Sequence, residues 1–204
     1  MKIADGEYRG ISALILESAV LRAAILPQRG GKMASLIHKL TGTEVLSQPD
    51  GEIPGVVSYG KTFETIDSYG FDEMFPTIVQ CYCDVEPWQG TALPDHGEVW
   101  SLPWRARTDG DRLRLQVHGV RLPYILTKTV SIEPEETVVL HYRVENPSPF
   151  DLPALWAAHP LFNIAEGSRL ILPASARTIM NTAHGTALGD YGACFAFPHA
   201  EMGG

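Results

Sequence analysis

From Trp104 to Asn146 apolar and polar residues alternate in runs of strand length, each closed by a turn rich in Gly, Pro or acidic residues. After the turn at Asp109-Gly110-Asp111, Leu113, Leu115 and Val117 fall on one side of an extended chain and Arg114, Gln116 and His118 on the other. A helix cannot satisfy this period of two, because residues sharing a helical face are three and four apart. The pattern returns over Tyr124 to Ile132 and again over Thr137 to Asn146, where Val138, Leu140, Tyr142 and Val144 oppose Val139, His141, Arg143 and Glu145. Upstream, Ile11 to Leu26 reads as a hairpin broken at Glu17-Ser18, Lys32 to Leu40 as a strand whose spacing would also suit a helical turn, and Val45-Leu46 as a short strand. Leu152 to Ala158 is an apolar run, and Arg169 to Leu172 reads as one more strand. Strands about ten residues apart with no amphipathic helix between them predict an all-β, antiparallel sandwich or barrel with less than about a tenth of its residues in helix. No repeat of fixed length is visible, which argues against a propeller or solenoid.

The chain of 204 residues is expected to form a single domain, since β sandwiches and barrels often reach this length as one unit. With 45% hydrophobic residues it has ample material for a core. Its net charge of −8, without any Lys/Arg cluster, argues against nucleic acid or an anionic membrane as the main partner. Cys81 and Cys83 stand too close along a strand to pair comfortably, and Cys194 makes the count odd, so a reducing cytoplasm is the simpler setting. The N-terminus lacks the apolar core of a signal peptide, and no apolar run is long enough to cross a membrane as a helix.

Chemistry concentrates where the alternation fails. Ser47 to Pro76 is irregular and ends in Tyr69-Gly70-Phe71-Asp72-Glu73-Met74-Phe75-Pro76-Thr77-Ile78, an aromatic and acidic mixture expected at a binding rim, though solvated turns more often carry such acids. Pro94-Asp95-His96-Gly97-Glu98-Val99-Trp100 places an imidazole, two carboxylates and an indole between a proline and a strand, on an expected irregular loop. Histidine exchanges a proton near neutrality, and a neighbouring carboxylate fixes its tautomer. In Leu155-Trp156-Ala157-Ala158-His159-Pro160-Leu161-Phe162-Asn163 a second histidine ends an apolar strand among aromatics.

In this order, these motifs resemble the galactose mutarotase-like (aldose 1-epimerase) superfamily. Ile25 to Leu36 with Thr41 to Leu46 is similar to that family's opening sheet, Phe71 to Ile78 to its rim, and the stretches around His96 and His159 to its two histidine motifs. The resemblance implies an antiparallel β supersandwich whose concave face binds a small-molecule sugar, with no cofactor and no metal. It gives His159 the role of general acid on the sugar ring oxygen and His96 a binding role beside it. Asp72, Glu73, Asp95, Glu98, Trp100 and Phe162 then become candidates for substrate binding, with Trp156 a further stacking candidate, although large aromatics are more often core. Opening a hemiacetal ring needs an acid and a base on opposite sides of one carbon.

Two departures bear on activity. The typical epimerase branch carries an Asn-Arg pair where Tyr59-Gly60-Lys61-Thr62-Phe63-Glu64 stands here, which leaves the sugar open. The resemblance implies that the family's glutamate base lies beyond Gly204, and the setting of Glu201, the last carboxylate after Glu166 and Asp190, resembles no family motif; the chain reads as lacking the C-terminal strands, and mutarotation at an enzymatic rate is not expected of it. Two rival readings are a carbohydrate-binding or sensing module without turnover, and a metal-dependent isomerase using His96, Glu98 and His159. His96-Gly97-Glu98 has the H-x-E spacing of zinc deaminases but lacks their Pro-Cys-x-x-Cys.

Overall fold

The alternating runs become antiparallel strands in a computed structural model that describes residues 2–53, 57–63, 68–134, 136–182 and 188–197. Strands β1 (Lys2–Tyr8), β2 (Ile11–Glu17), β3 (Leu21–Leu26) and β4 (Lys32–His38) form a meander, each turn being short enough to return the chain beside itself. Two later strands share the next edge of β4: β5 (Thr43–Glu44) pairs at Ile37 and His38, and β6 (Phe71–Met74) pairs at Met33. β7 (Cys81–Tyr82) and β8 (Ala92–Leu93) make a small ribbon. A second meander follows in β9 (Arg105–Asp109), β10 (Arg112–His118), β11 (Ile125–Ile132) and β12 (Val138–Glu145). β13 (Ala157–Pro160) then returns to the first sheet beside β6, giving that sheet the order β1-β2-β3-β4-β6-β13. Among the described residues the helical content is one 3-10 turn, Val99–Ser101.

The two meanders face each other. Leu16, Ala23, Ile25, Met33 and Phe75 of the first sheet and its margin meet Leu113, Leu115, Val117, Leu126 and Val130 of the second in one buried cluster. Each fully buried Leu or Ile there contributes roughly 2 kcal/mol by removing its apolar surface from water. The first sheet is also covered on its other face, by a smaller cluster of Ala13, Ile15, Ala24, Leu26, Ala34 and Tyr69. A strand apolar on both sides has no alternation, which is why Leu21 to Leu26 reads as a continuous run.

The chain falls into two units, Met1–Ile164 and Ala165–Gly204. In the second unit β14 (Thr178–Met180) and β15 (Cys194–Ala196) form a hairpin that the sequence reading missed. Asn181 closes it by donating from Nδ2 to the carbonyl of Gly189 at 2.9 Å. The strand expected at Arg169 to Leu172 does not form, and Leu170 and Ile171 are exposed. The strand expected at Val45-Leu46 lies two residues earlier, because the Glu44 carboxylate turns the chain by accepting from the N–H groups of Leu36 and Leu46.

Candidate functional site

β6 and β13 put consecutive residues on opposite faces of the first sheet, and that alternation sorts the candidate residues. His159 is paired directly with Asp72 across the ladder, so both side chains emerge on the face away from the sandwich interior. Glu73, paired with Ala158, points the other way. There its Oε1 accepts from Lys128 Nζ and from the Tyr142 hydroxyl, each at 2.7 Å, and it is fully buried. Neither acid stands on an exposed rim, contrary to expectation: Asp72 is 1% exposed and Glu73 0%. The segment that looked irregular is a covered strand whose acids are neutralised by lysines.

His96 reaches the same face from the loop after β8. Its φ of 58° and that of Gly97 at 73° fold the chain back on itself, Asn-like geometry for a histidine and ordinary geometry for glycine. The loop is fastened to the end of β6, where the His96 N–H donates to the carbonyl of Ile78 at 3.1 Å and the Glu98 N–H to that of Phe75 at 2.8 Å. It leads into the 3-10 turn and not into the strand expected.

The two imidazoles therefore meet, with ring centroids 5.0 Å apart and planes at 81°. Phe63 sits against both, stacked on His96 at 4.4 Å and edge-on to His159 at 5.0 Å. The Nδ1 atoms of both histidines are buried without an aligned hydrogen-bond partner among the described residues. Asp95 Oδ1 does lie 3.0 Å from His96 Nδ1, close enough for charge attraction but outside hydrogen-bond alignment. Its Oδ2 accepts from the Phe63 N–H at 3.2 Å, which ties the Phe63 segment to the His96 loop. Burial first, then His96 and the Lys32 ammonium, hold the pKa of His159 below its usual 6.5.

Beneath the rings lies Lys32, fully buried, with Nζ 2.5 Å from Asp72 Oδ2 and 2.6 Å from the carbonyl oxygen of Tyr69. Its ammonium also sits over the Tyr69 ring at 4.1 Å and near the Phe63 ring at 5.6 Å.

The remaining candidates separate from the imidazoles. Glu98 is wholly buried, and its carboxylate takes four donors: the hydroxyls of Tyr59 and Tyr124 and the N–H groups of Val120 and Arg121. That engagement leaves it no lone pair facing a metal shared with His96 and His159, and among the described residues no three His, Cys, Asp or Glu side chains gather as a metal site. Glu98 in turn raises both phenols: with burial as the larger cause, Tyr59 is pushed up to about 12, and Tyr124 higher still. Trp100 is core, edge-on to Phe63 at 5.2 Å, with Nε1 donating to the Asp95 carbonyl at 3.1 Å. Phe162 is exposed and bridges Leu46, while Trp156 lies against Tyr142 at 4.7 Å. Glu64 and Glu201 lie outside the described residues. A cavity of about 280 Å³ opens beside the His96 loop, lined by Tyr59, Lys61, Thr62, Asp95 and Arg121. A larger one of about 560 Å³, near Asp5, Gln28 and Arg105, holds neither histidine.

Neither a family model nor a curated protein sequence matches the chain. Solved structures do: a galactose mutarotase-like protein from Lactobacillus casei ATCC 334 superposes with a TM-score of 0.65 over 93% of this chain, at 18% identity. The fold is galactose mutarotase-like. A second galactose mutarotase-like protein, from Clostridium acetobutylicum, gives a TM-score of 0.60 over 82% of this chain at 15% identity. The chain spans 65% and 56% of the lengths of these two proteins. No helix among its described residues is long and apolar enough to cross a membrane.

Lys32 and Phe63 are the site residues that sequence reading missed. Lys32 looked like the polar start of a strand, and Phe63 lies in an aperiodic stretch. The one available signal was that Tyr59 to Glu64 replaces the Asn-Arg pair of the typical epimerase branch.

Proposed function

We propose that the chain is an aldose 1-epimerase-like protein that holds a monosaccharide against His96 and His159 and, where a base is supplied, opens its hemiacetal ring with His159 as proton donor to the ring oxygen. One observation carries this reading: two histidines remote in sequence converge on one sheet face at 5.0 Å, in the order the motifs imply. An imidazolium in a partly desolvated place is a stronger acid than one in water, which favours transfer of its proton to an oxygen losing its bond to carbon. His96, with the Asp95 carboxylate 3.0 Å from its Nδ1, serves as the neighbouring sugar contact.

The protonated form of His159 is needed, and it is lost as pH rises through a pKa held below 6.5. The kcat/KM for anomer exchange is therefore expected to fall on the alkaline side of that value. Polarimetry on freshly dissolved α-galactose and α-glucose, with the histidine ring signals followed by NMR during titration with each sugar, tests the proposal. In a parent protein that supplies the base, His159→Ala should lower kcat by roughly a hundredfold or more. If neither sugar moves the His96 or His159 resonances, the reading fails.

A second reading has an observation of its own. Among the described residues the carboxylates nearest the rings are engaged, Asp72 with Lys32, Asp95 with the Phe63 N–H and Glu98 with four donors, so none of these stands ready to take the anomeric proton. Sugar binding without faster anomer exchange would select a binding or sensing role.

A further inference from the structure

Two lysine-carboxylate pairs sit back to back on β6, and both are removed from water. Lys128-Glu73 faces the sandwich interior, where Lys128 also donates to the carbonyl of Gly31 at 2.8 Å and so spans the two sheets. Lys32-Asp72 faces the imidazoles and spans only neighbouring strands of one sheet. Burying an ion pair is a poor route to stability, since apolar residues of similar size serve as well or better. A charge pair placed under two titratable rings has a different use.

We propose that Lys32-Asp72 is a positioning pair for His159: set directly across the β6-β13 ladder from that imidazole and covered by Phe63 and Tyr69, it fixes the field in which the ring takes up and releases its proton. The geometry assigns the pair to His159 and not to His96. Asp72 and His159 are register partners on one face. Among the described residues the charged and titratable groups facing His159 are few. His96 approaches from its loop at 5.0 Å, the Lys32 ammonium from β4 and the Asp72 carboxylate from β6, while Phe63 contributes a ring without charge. Asp95 is directed at His96 Nδ1, and Glu73 emerges on the opposite side of the sheet. The lowered titration of His159 has Lys32 among its causes, after burial and His96.

The bearing of this pair on turnover rests on the epimerase-like reading, whereas its bearing on protonation does not. The test is an NMR pH titration of the His159 ring, assigned by its loss in His159→Gln, in the full chain and in three variants. Lys32→Gln removes the positive charge but keeps a donor, and Asp72→Asn removes the negative charge but keeps an acceptor. The expected shifts are opposite, upward in Lys32→Gln and downward in Asp72→Asn, with no shift in Lys128→Gln. General loosening of the site would move both variants toward the free-imidazole value, so shifts of the same sign, or none, overturn the proposal. If Lys32→Gln does not fold, Asp72→Asn decides alone, and an unchanged or raised titration there is fatal. Opposite shifts in a chain that binds no sugar would keep the pair's role and discard the sugar reading.

Discussion

Glu98 takes two phenol hydroxyls and two backbone N–H groups from two separate segments, so one carboxylate organises the surroundings of the His96 loop. Replacing it with Gln turns an acceptor into an amide donor facing those same hydrogens. Glu98→Gln is expected to lower stability by about 3 kcal/mol, read as a fall in urea midpoint at unchanged slope. His159 makes a pH-dependent contribution of definite sign. Its folded pKa lies below 6.5, so the unfolded chain binds the proton first as pH falls. The stability of wild type relative to His159→Gln should accordingly be constant above about 6.5, decline below it, and level off beneath the folded value; a decline with rising pH would reverse the assignment. Sequence reading found both histidines, because few other residues suit proton transfer at neutrality. It did not show the partners of Asp72, Glu73 and Glu98, because Lys32, Lys128 and Tyr124 lie far away in sequence.

At the level of elements, the His96 loop is locked to the end of β6 by a close backbone approach at Gly97. A Cβ there would meet the Phe75 carbonyl oxygen at 2.2 Å, and the φ of 73° is itself unfavourable for any other residue. Gly110, in the β9-β10 turn, also has positive φ, at 62°, but opens onto free space. Gly110→Ala should cost only the left-handed strain of about 1 kcal/mol, whereas Gly97→Ala should cost more and also displace His96. Thermal melts compare the costs, and the chemical shift of the His96 ring reports the displacement. Equal effects would show that the close approach is not rigid. The β10 to β12 meander was legible because one face is wet and the alternation survives. β6 was not, because its acids are covered on both faces and leave no period to read.

Across the sandwich, Lys128 reaches from β11 to Glu73 and Gly31 of the opposite sheet, a polar tie inside an apolar interior. Lys128→Met leaves the Glu73 carboxylate buried with the Tyr142 hydroxyl as its remaining donor. A loss of about 3–5 kcal/mol is expected, most of it recovered in Lys128→Met/Glu73→Leu. Denaturant unfolding of the three proteins decides this, and a double variant no better than the single one would mean that the pair itself stabilises. By itself the sequence determined the all-β class, the second meander and the identity of the two histidines, because alternation and imidazole chemistry are written in neighbouring residues. Only the tertiary structure decided which acids are neutralised, that Phe63 and Lys32 join the imidazoles, and that β13 returns beside β6 to bring His159 opposite Asp72. Those facts depend on contacts between residues distant along the chain, where burial and pairing, not residue type, set what a charged side chain can do.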